Sequence, residues 1–344
     1  MDALRARNSF LTFAFCLLPF ALAACAAKPQ GPLAYVTNER DGTVTVFDTA
    51  TDRAVSTWKI GGRPRGVRVS ADGRTVYVAS STPSGKSYDP QENHVAAVDA
   101  ATGEVVKTYE VGTDPEQVAV LPDGSRLYAS NEDAGTASVV DAGTGRTLAT
   151  LVVGIEPEGV RSSPDGRWVY VTAETSNTVT VIDTRADTVA ATFMVDARPR
   201  EAAFSPDGSR AYVTTEIGRT LVVVDARTHT VVRSVPVPNN ANGVKPMGVA
   251  VSPDGRRVYV ATGRGRSVVV FDAETFAVVA EVPVGQRPWG LALTPDGRKL
   301  YAACGGSDAN APGANEVTVI DTAANAVVGH LQAGDGPWGV AVGK

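Results

Sequence analysis

The sequence predicts an all-β fold, a seven-bladed β-propeller of four-stranded antiparallel blades. Three observations carry this. A unit of roughly 42 residues recurs from Leu33 to Val342. Three marker residues return once per unit, each in seven copies: a tyrosine (Tyr35, Tyr77, Tyr128, Tyr170, Tyr212, Tyr259, Tyr301), an aspartate (Asp48, Asp99, Asp141, Asp183, Asp225, Asp272, Asp321) and a proline (Pro64, Pro115, Pro157, Pro199, Pro246, Pro288, Pro337). Finally, the first copy lacks a first strand and the last copy consists of little else, so the two ends are complementary.

The stretch from Glu158 to Pro199 shows the unit most clearly. Gly159 to Ser163 reads as the innermost strand, a. Pro164-Asp165-Gly166 is a tight turn, with proline presetting φ, aspartate bonding back to the backbone and glycine accepting a positive φ. Trp168 to Thr172 is strand b. Thr178 to Ile182, rich in β-branched residues, is strand c. Asp183-Thr184 closes it with a side chain able to accept turn amides, and Val189 to Val195 is the outermost strand, d. Four strands at this period are the signature of a propeller blade.

Ring closure follows from the ends. Trp338 to Val342 is expected to be the innermost strand of the blade whose other strands are Leu33–Thr37, Thr43–Phe47 and Ala54–Ile60. This joins the C-terminal strand to the N-terminal blade and removes an open sheet edge.

Residues 1–24 read as an export signal: Arg5 and Arg7 precede an apolar run from Phe10 to Ala24 that Pro19 interrupts. Leu22-Ala23-Ala24-Cys25 resembles a bacterial lipobox, which makes Cys25 the expected lipidation site; ordinary signal cleavage is the competing reading. Residues 25–32 are then a tether and residues 33–344 the propeller. The resulting expectation is a periplasmic protein held by lipid to the outer membrane. Of three cysteines only Cys304 lies in the repeats, so the propeller has no internal disulfide. A formal net charge of -5 without a basic run argues against nucleic-acid binding.

Loop lengths single out one face. Extensions occur at Thr82 to His94 and Gly305 to Asn315, between strands b and c, and at Pro236 to Lys245, between strand d and the next strand a. These loops share a face, while the opposite turns keep nearly constant length. On that face the residues flanking each leading proline should ring the mouth of the central channel. They are Arg63/Arg65, Asp114/Glu116, Glu156/Glu158, Arg198/Arg200, Lys245/Met247, Arg287/Trp289 and Gly336/Trp338. Glu39, Glu132, Glu174 and Glu216 recur at one b–c position, and His94 stands on the blade 2 extension. Two readings are open: a charged solvated rim with pairs between blades, or a polarised funnel with Trp289 and Trp338 as an exposed aromatic shelf. Deeper in strand a, Ala119, Ala203, Ala250, Ala292 and Ala341 are matched by Arg68 and Arg161 in two blades. Those arginines call for a structural ion pair or an anion site.

Familiar catalytic motifs are absent: no G-x-S-x-G, H-E-x-x-H or C-x-x-C occurs, and Ser84-Gly85-Lys86-Ser87 lacks the first glycine of a phosphate loop. Of three histidines only His94 falls on the candidate face. Acid–base chemistry by Asp114, Glu116, Glu156 or Glu158 remains open.

VYVTAETSNTVTVIDT and SPDGRWVYVT resemble the YVTN-repeat β-propellers over the whole repeat region. Seven copies behind an export signal are also similar to the PQQ-dependent catabolism-associated β-propeller proteins. That resemblance implies an accessory role beside quinoprotein alcohol oxidation and transport, without catalytic residues. The Trp-rich docking repeats of PQQ dehydrogenases are missing, so no cofactor is expected. The leading expectation is therefore a non-enzymatic, lipid-anchored binding or scaffold protein that holds a periplasmic protein or a small molecule on its b–c/d–a face. Two alternatives stand beside it. One is an enzyme similar to seven-bladed lactonases of the phosphogluconolactonase kind, which a metal between Asp114 and Glu158 would favour. The other is a tetrapyrrole-handling propeller similar to the haem d1 proteins, with His94 as axial ligand.

Overall fold

Each repeat folds as one four-stranded antiparallel sheet in the computed structural model, which describes residues 30–306 and 313–343. The leader, Cys25 and most of the tether lie outside the described residues, as does the middle of the blade 7 extension. No helix among the described residues is long and apolar enough to cross a membrane.

Blade 4 shows the pattern: Pro157–Ser162, Trp168–Ala173, Thr178–Asp183 and Thr188–Met194 from the axis outward. Strand a starts earlier than its apolar run suggests because Pro157 itself pairs with Ala173. The turn chemistry is as read from sequence. Gly166 has φ +70°, and Asp165 accepts the Arg167 amide at 3.0 Å. The strand-c aspartate likewise accepts turn amides, as Asp99 does from Ala101 and Thr102, both at 2.9 Å. Blade 6 differs: its strand a shortens to Val249–Val251 because the Pro236 to Lys245 segment enters it irregularly.

The core lies between neighbouring sheets. Tyr170, Val181, Phe204, Val213 and Val222 form one cluster spanning blades 4 and 5. The repeated tyrosines are all buried there, and several hydroxyls reach the c–d turn of the next blade. Tyr128 donates to Asp187 (2.9 Å), Tyr301 donates to Asp52 (2.5 Å), and Tyr170 pairs with His229 (2.8 Å). Asp52, Asp187 and His229 all have positive φ, which turns the side chain back toward the neighbouring blade.

The ring closes as the chain ends require. Pro337–Val342 is hydrogen-bonded to Leu33–Asn38 in the first blade, inside Thr43–Asp48 and Arg53–Lys59. Its outer wall is fastened by Tyr301 and Lys299, which meet Asp52 at 2.5 and 2.6 Å.

Deleting the chain from Gly336 onward exposes both neighbours of the lost strand, so the truncated protein should melt far below the full chain. Tyr301→Phe removes only one bond to a charged acceptor and should cost about 1.5–3 kcal/mol in denaturant unfolding. A truncation that melts with the full chain would refute the closure.

Candidate functional site at the channel mouth

A bulge shapes the mouth. In six of the innermost strands the ladder shifts register between the leading proline and the third residue after it. The residue after the proline, looped out by this extra residue, is the one that rings the channel. Here stand Arg65, Glu116, Glu158, Arg200, Met247, Trp289 and Trp338.

Their backbones are clamped by hydroxyls from the preceding blade. Thr37 donates to the Arg65 carbonyl (2.6 Å), Ser130 to that of Glu158 (2.5 Å), Thr172 to that of Arg200 (2.8 Å), and Thr214 to that of Met247. The same four blades carry the b–c glutamate two residues further on: Glu39, Glu132, Glu174 and Glu216. One side of the ring thus shares a hydroxyl-x-Glu signal that the repeat comparison overlooked.

The residue before the leading proline is strained as well as charged. Asp114, Glu156, Arg198 and Arg287 have φ between +46° and +60°. Asparagines at the b–c loops hold this turn: Asn93 accepts the Asp114 amide (2.9 Å) and Asn177 that of Arg198 (2.8 Å). The b–c and d–a loops therefore do share a face, and they are bonded to each other.

Two charge clusters result. In the first, Arg63 meets Asp114 at 2.6 Å and Glu116 at 3.6 Å, while Arg65 contacts Glu116 and holds Glu39 at 3.1 Å. Glu116 is 0% exposed. Carboxylate oxygens of Asp114, Glu116 and Glu132 lie within 4.8 Å of one another, close enough to hold a cation. Two guanidiniums already occupy Asp114 and Glu116. Burial, with the charge of Glu116 beside it, pushes Glu132 up to about 9, and the two side chains are hydrogen-bonded. The donor set fits a proton shared between carboxyls better than a metal.

The second cluster is centred on Arg200. Its guanidinium meets Glu216 at 2.5 Å and Glu158 at 3.4 Å, and also contacts Glu174. Arg198 joins Glu174 (2.6 Å) and Glu216 (3.0 Å), and Lys245 contacts Glu216. Burial and then repulsion from Glu116 push the Glu158 carboxyl well up, which favours its protonated form. Burial opposes the charge on Glu216 too, but Arg200 and Lys245 prevail and hold it below the ordinary carboxylate range. One guanidinium therefore touches carboxyl groups pushed in opposite directions: Glu158 and Glu174 upward by burial, Glu216 downward by its cations.

The tryptophans lie beside this cluster. Trp289 and Trp338 have ring centroids 5.4 Å apart with planes 32° from parallel. Arg65 lies over Trp338 and Arg200 over Trp289. The expected exposed shelf is thus half covered: Trp338 is only 4% exposed, and Trp289 alone presents a face. That face floors a cavity of 310 Å³ walled by Arg200, Glu216, Lys245, Arg264 and Arg287. Arg264 went unread in the sequence because it sits in a short 3-10 turn (Gly263–Gly265) where blades 1, 3, 4 and 5 have their loop glutamate. Neither Arg264 nor Arg287 has a carboxylate partner among the described residues.

The remaining candidates separate. Glu156 accepts the Thr175 hydroxyl at 2.5 Å within its own blade. His94 opens strand c of blade 2 and pairs through Nδ1 with the Gln91 carbonyl at 3.0 Å. It lines none of the mouth cavities. Cys304 is buried, and burial pushes its thiol up to about 12, so it is inert.

The family model described as "Lactonase, 7-bladed beta-propeller" matches residues 25–153 and 188–311, well over half of the chain. The chain belongs to this family of lactonases. Solved structures agree on the fold. A protein of unknown function from Desulfotomaculum acetoxidans is 20% identical, with a TM-score of 0.75 over 90% of this chain and 98% of its own. A candidate 6-phosphogluconolactonase of Bacteroides fragilis is 18% identical, with a TM-score of 0.75 over 92% and 99%. Kuenenia stuttgartiensis hydrazine synthase is 24% identical, with a TM-score of 0.68 over 80% and 88%. At these identities the likeness concerns the fold. No curated protein sequence matches the chain. The family match corrects the leading expectation of a non-enzymatic scaffold beside PQQ-dependent alcohol oxidation, and favours the lactonase alternative.

The Glu132 proton yields a test by pH. Glu132 keeps its proton to about 9 in the fold, against an ordinary 4.5. Between these values the unfolded chain has released a proton that the folded chain retains, so this group lowers stability as pH rises. Glu132→Gln keeps a donor toward Glu116 and removes the titration. Its melting temperature relative to wild type should climb steadily from pH 5 to pH 9. A constant offset across that range would mean Glu132 is ionised in the fold.

Proposed function

We propose that the chain hydrolyses a lactone bearing an anionic substituent, in the cavity floored by Trp289. The observation that carries this is the placement of Arg200 between Glu158 (3.4 Å) and Glu216 (2.5 Å), with burial raising the first carboxyl and Arg200 and Lys245 lowering the second. Environments that drive two carboxyl groups apart in this way assign an acid and a base.

The cavity suits such a substrate. Trp289 offers a flat apolar face to a sugar-like ring. Arg264 and Arg287, without carboxylate partners among the described residues, supply donors for a phosphate or carboxylate substituent. The name 6-phosphogluconolactonase borne by a structural neighbour fits this substrate class.

In the reaction Glu216 takes a proton from water as the water oxygen bonds to the lactone carbonyl carbon. Arg200 and Lys245, both against Glu216, stabilise the tetrahedral oxyanion. The bond from that carbon to the ring oxygen then breaks, and the Glu158 proton reaches the departing oxygen through a water, because Glu158 sits behind Arg200 and does not line the cavity itself. The product is the open hydroxy acid, and the proton on Glu216 returns to Glu158 through solvent. Each carboxyl group acts in the protonation state it already has at neutral pH. Export and acylation at Cys25 would place this activity at a membrane surface.

Proton release from glucono-δ-lactone and 6-phosphoglucono-δ-lactone, followed by pH-stat against the spontaneous rate, tests the proposal. The wild type should hydrolyse the phosphorylated lactone saturably. Glu216→Gln should lower kcat by about 10²–10⁴. Arg287→Ala should raise KM for the phosphorylated lactone and leave that for the neutral one nearly unchanged. Rates equal to the spontaneous ones with both lactones would sink the reading.

A further inference from the structure

The opposite end of the channel holds a second charged site, which lactone chemistry does not use. Arg68 and Arg161 stand four residues after their leading prolines, where the other five blades have alanine. Both turn to one acceptor: Glu201 Oε1 lies 3.3 Å from Arg68 and 3.1 Å from Arg161. The other Glu201 oxygen accepts from Gln117 Nε2 at 3.1 Å.

Gln117 and Glu201 occupy a further special position. Five innermost strands have glycine two residues after the leading proline, because the next blade approaches too closely for a side chain. At Gly159 an added Cβ would lie 2.4 Å from the Arg200 carbonyl. Only blades 3 and 5 carry side chains there, and these two bond to each other. The Gln117–Glu201 bridge therefore crosses the channel between the mouth and the two arginines.

The charges below the bridge do not balance. Two guanidiniums share one carboxylate. Their other recorded bonds go to neutral carbonyls: Arg68 to Val67 (2.8 Å) and Arg161 to Ala202 (3.1 Å). Arg68 Nε is buried without an acceptor. Both arginines line a cavity of 510 Å³ that opens among the Pro-Asp-Gly turns. Its other walls are apolar or hydroxylic, as at Ser162, Phe204, Leu293 and Val342, and no carboxylate lines it. Burial and the neighbouring Arg161 push the Arg68 guanidinium down to about 9. Arginine does not give up its proton near neutrality, so the uncompensated charge persists unless a counter-ion enters.

We propose that this cavity is an anion site that takes one small monovalent anion, chloride or a short carboxylate, between Arg68 and Arg161. A single negative charge completes the balance with Glu201, whereas a dianion would exceed it. The apolar walls strengthen the attraction by excluding water.

Chloride-35 NMR line broadening on the full chain tests the site, with sodium formate as competitor. The wild type should broaden the chloride line, and formate should remove the broadening. Arg161→Gln leaves Arg68 and Glu201 balanced, and should weaken chloride binding by at least about tenfold. Glu201→Gln leaves both arginines unopposed and should tighten it. If Arg161→Gln does not fold by circular dichroism, Arg68→Gln makes the same comparison. The proposal is overturned if the wild type gives no broadening, if broadening survives Arg161→Gln or Arg68→Gln in folded protein, or if it disappears instead in Arg287→Gln, which would place the ion at the mouth. Lactone hydrolysis is read separately, so either proposal can fail alone.

Discussion

The close approach of seven innermost strands around one axis governs the rest of the molecule. At Gly159, Gly248 and Gly339 the neighbouring backbone lies where a side chain would have to go, within 2.2–2.4 Å of an added Cβ. Such packing leaves few positions per blade that can carry a functional side chain, and the bulge after each leading proline creates the principal one. The channel is therefore a stack of rings: charged and aromatic residues at the mouth, glycine below them, and alanine deeper still. Function resides where a blade departs from its ring, and structure where it conforms.

Such crowding also explains the electrostatics. Glu116, Glu132, Glu158, Glu174 and Glu216 converge on a small region, where burial opposes their ionisation. The network divides them. Glu116 is held by Arg63 and Arg65 and Glu216 by Arg200 and Lys245, while burial pushes Glu132, Glu158 and Glu174 upward. A buried cluster of this kind is a weak source of stability. The proposed lactone hydrolysis would account for such a cluster in a ring that could have been apolar throughout, since that chemistry uses an acid and a base close together.

The blade count, the strand order and the ring closure were legible in the sequence because each rests on a pattern repeated seven times. The candidate face stood out in the sequence because insertions fall on one side only. The site itself was less so. Arg264 lies outside the repeated positions, and the burial of Trp338 depends on Arg65 lying over it, which spacing cannot show. The upward shift of Glu158 comes first from burial and then from Glu116 on the neighbouring blade, and neither can be read from spacing. Histidine is scarce on this face, but two carboxyl groups divided by one arginine can supply the acid and base that histidine would. Glu201 and Gln117 were detectable in principle, as the two breaks in a ring of glycines.

The Gln117–Glu201 bridge makes the two ends of the channel electrostatically distinct. Above it the mouth offers a mixed field, with cations gathered on the Lys245, Arg264 and Arg287 side. Below it Glu201 is the one carboxylate among the described residues that faces Arg68 and Arg161. Glu201 takes part in both structures, bridging the channel with one oxygen and neutralising arginine with the other. Its second role is half fulfilled, since a single carboxylate cannot balance two guanidiniums. An anion from solvent is the simplest completion, and it would fix the geometry of the bridge from below. The bridge between the two ends of the channel would then depend on an ion that never enters the mouth.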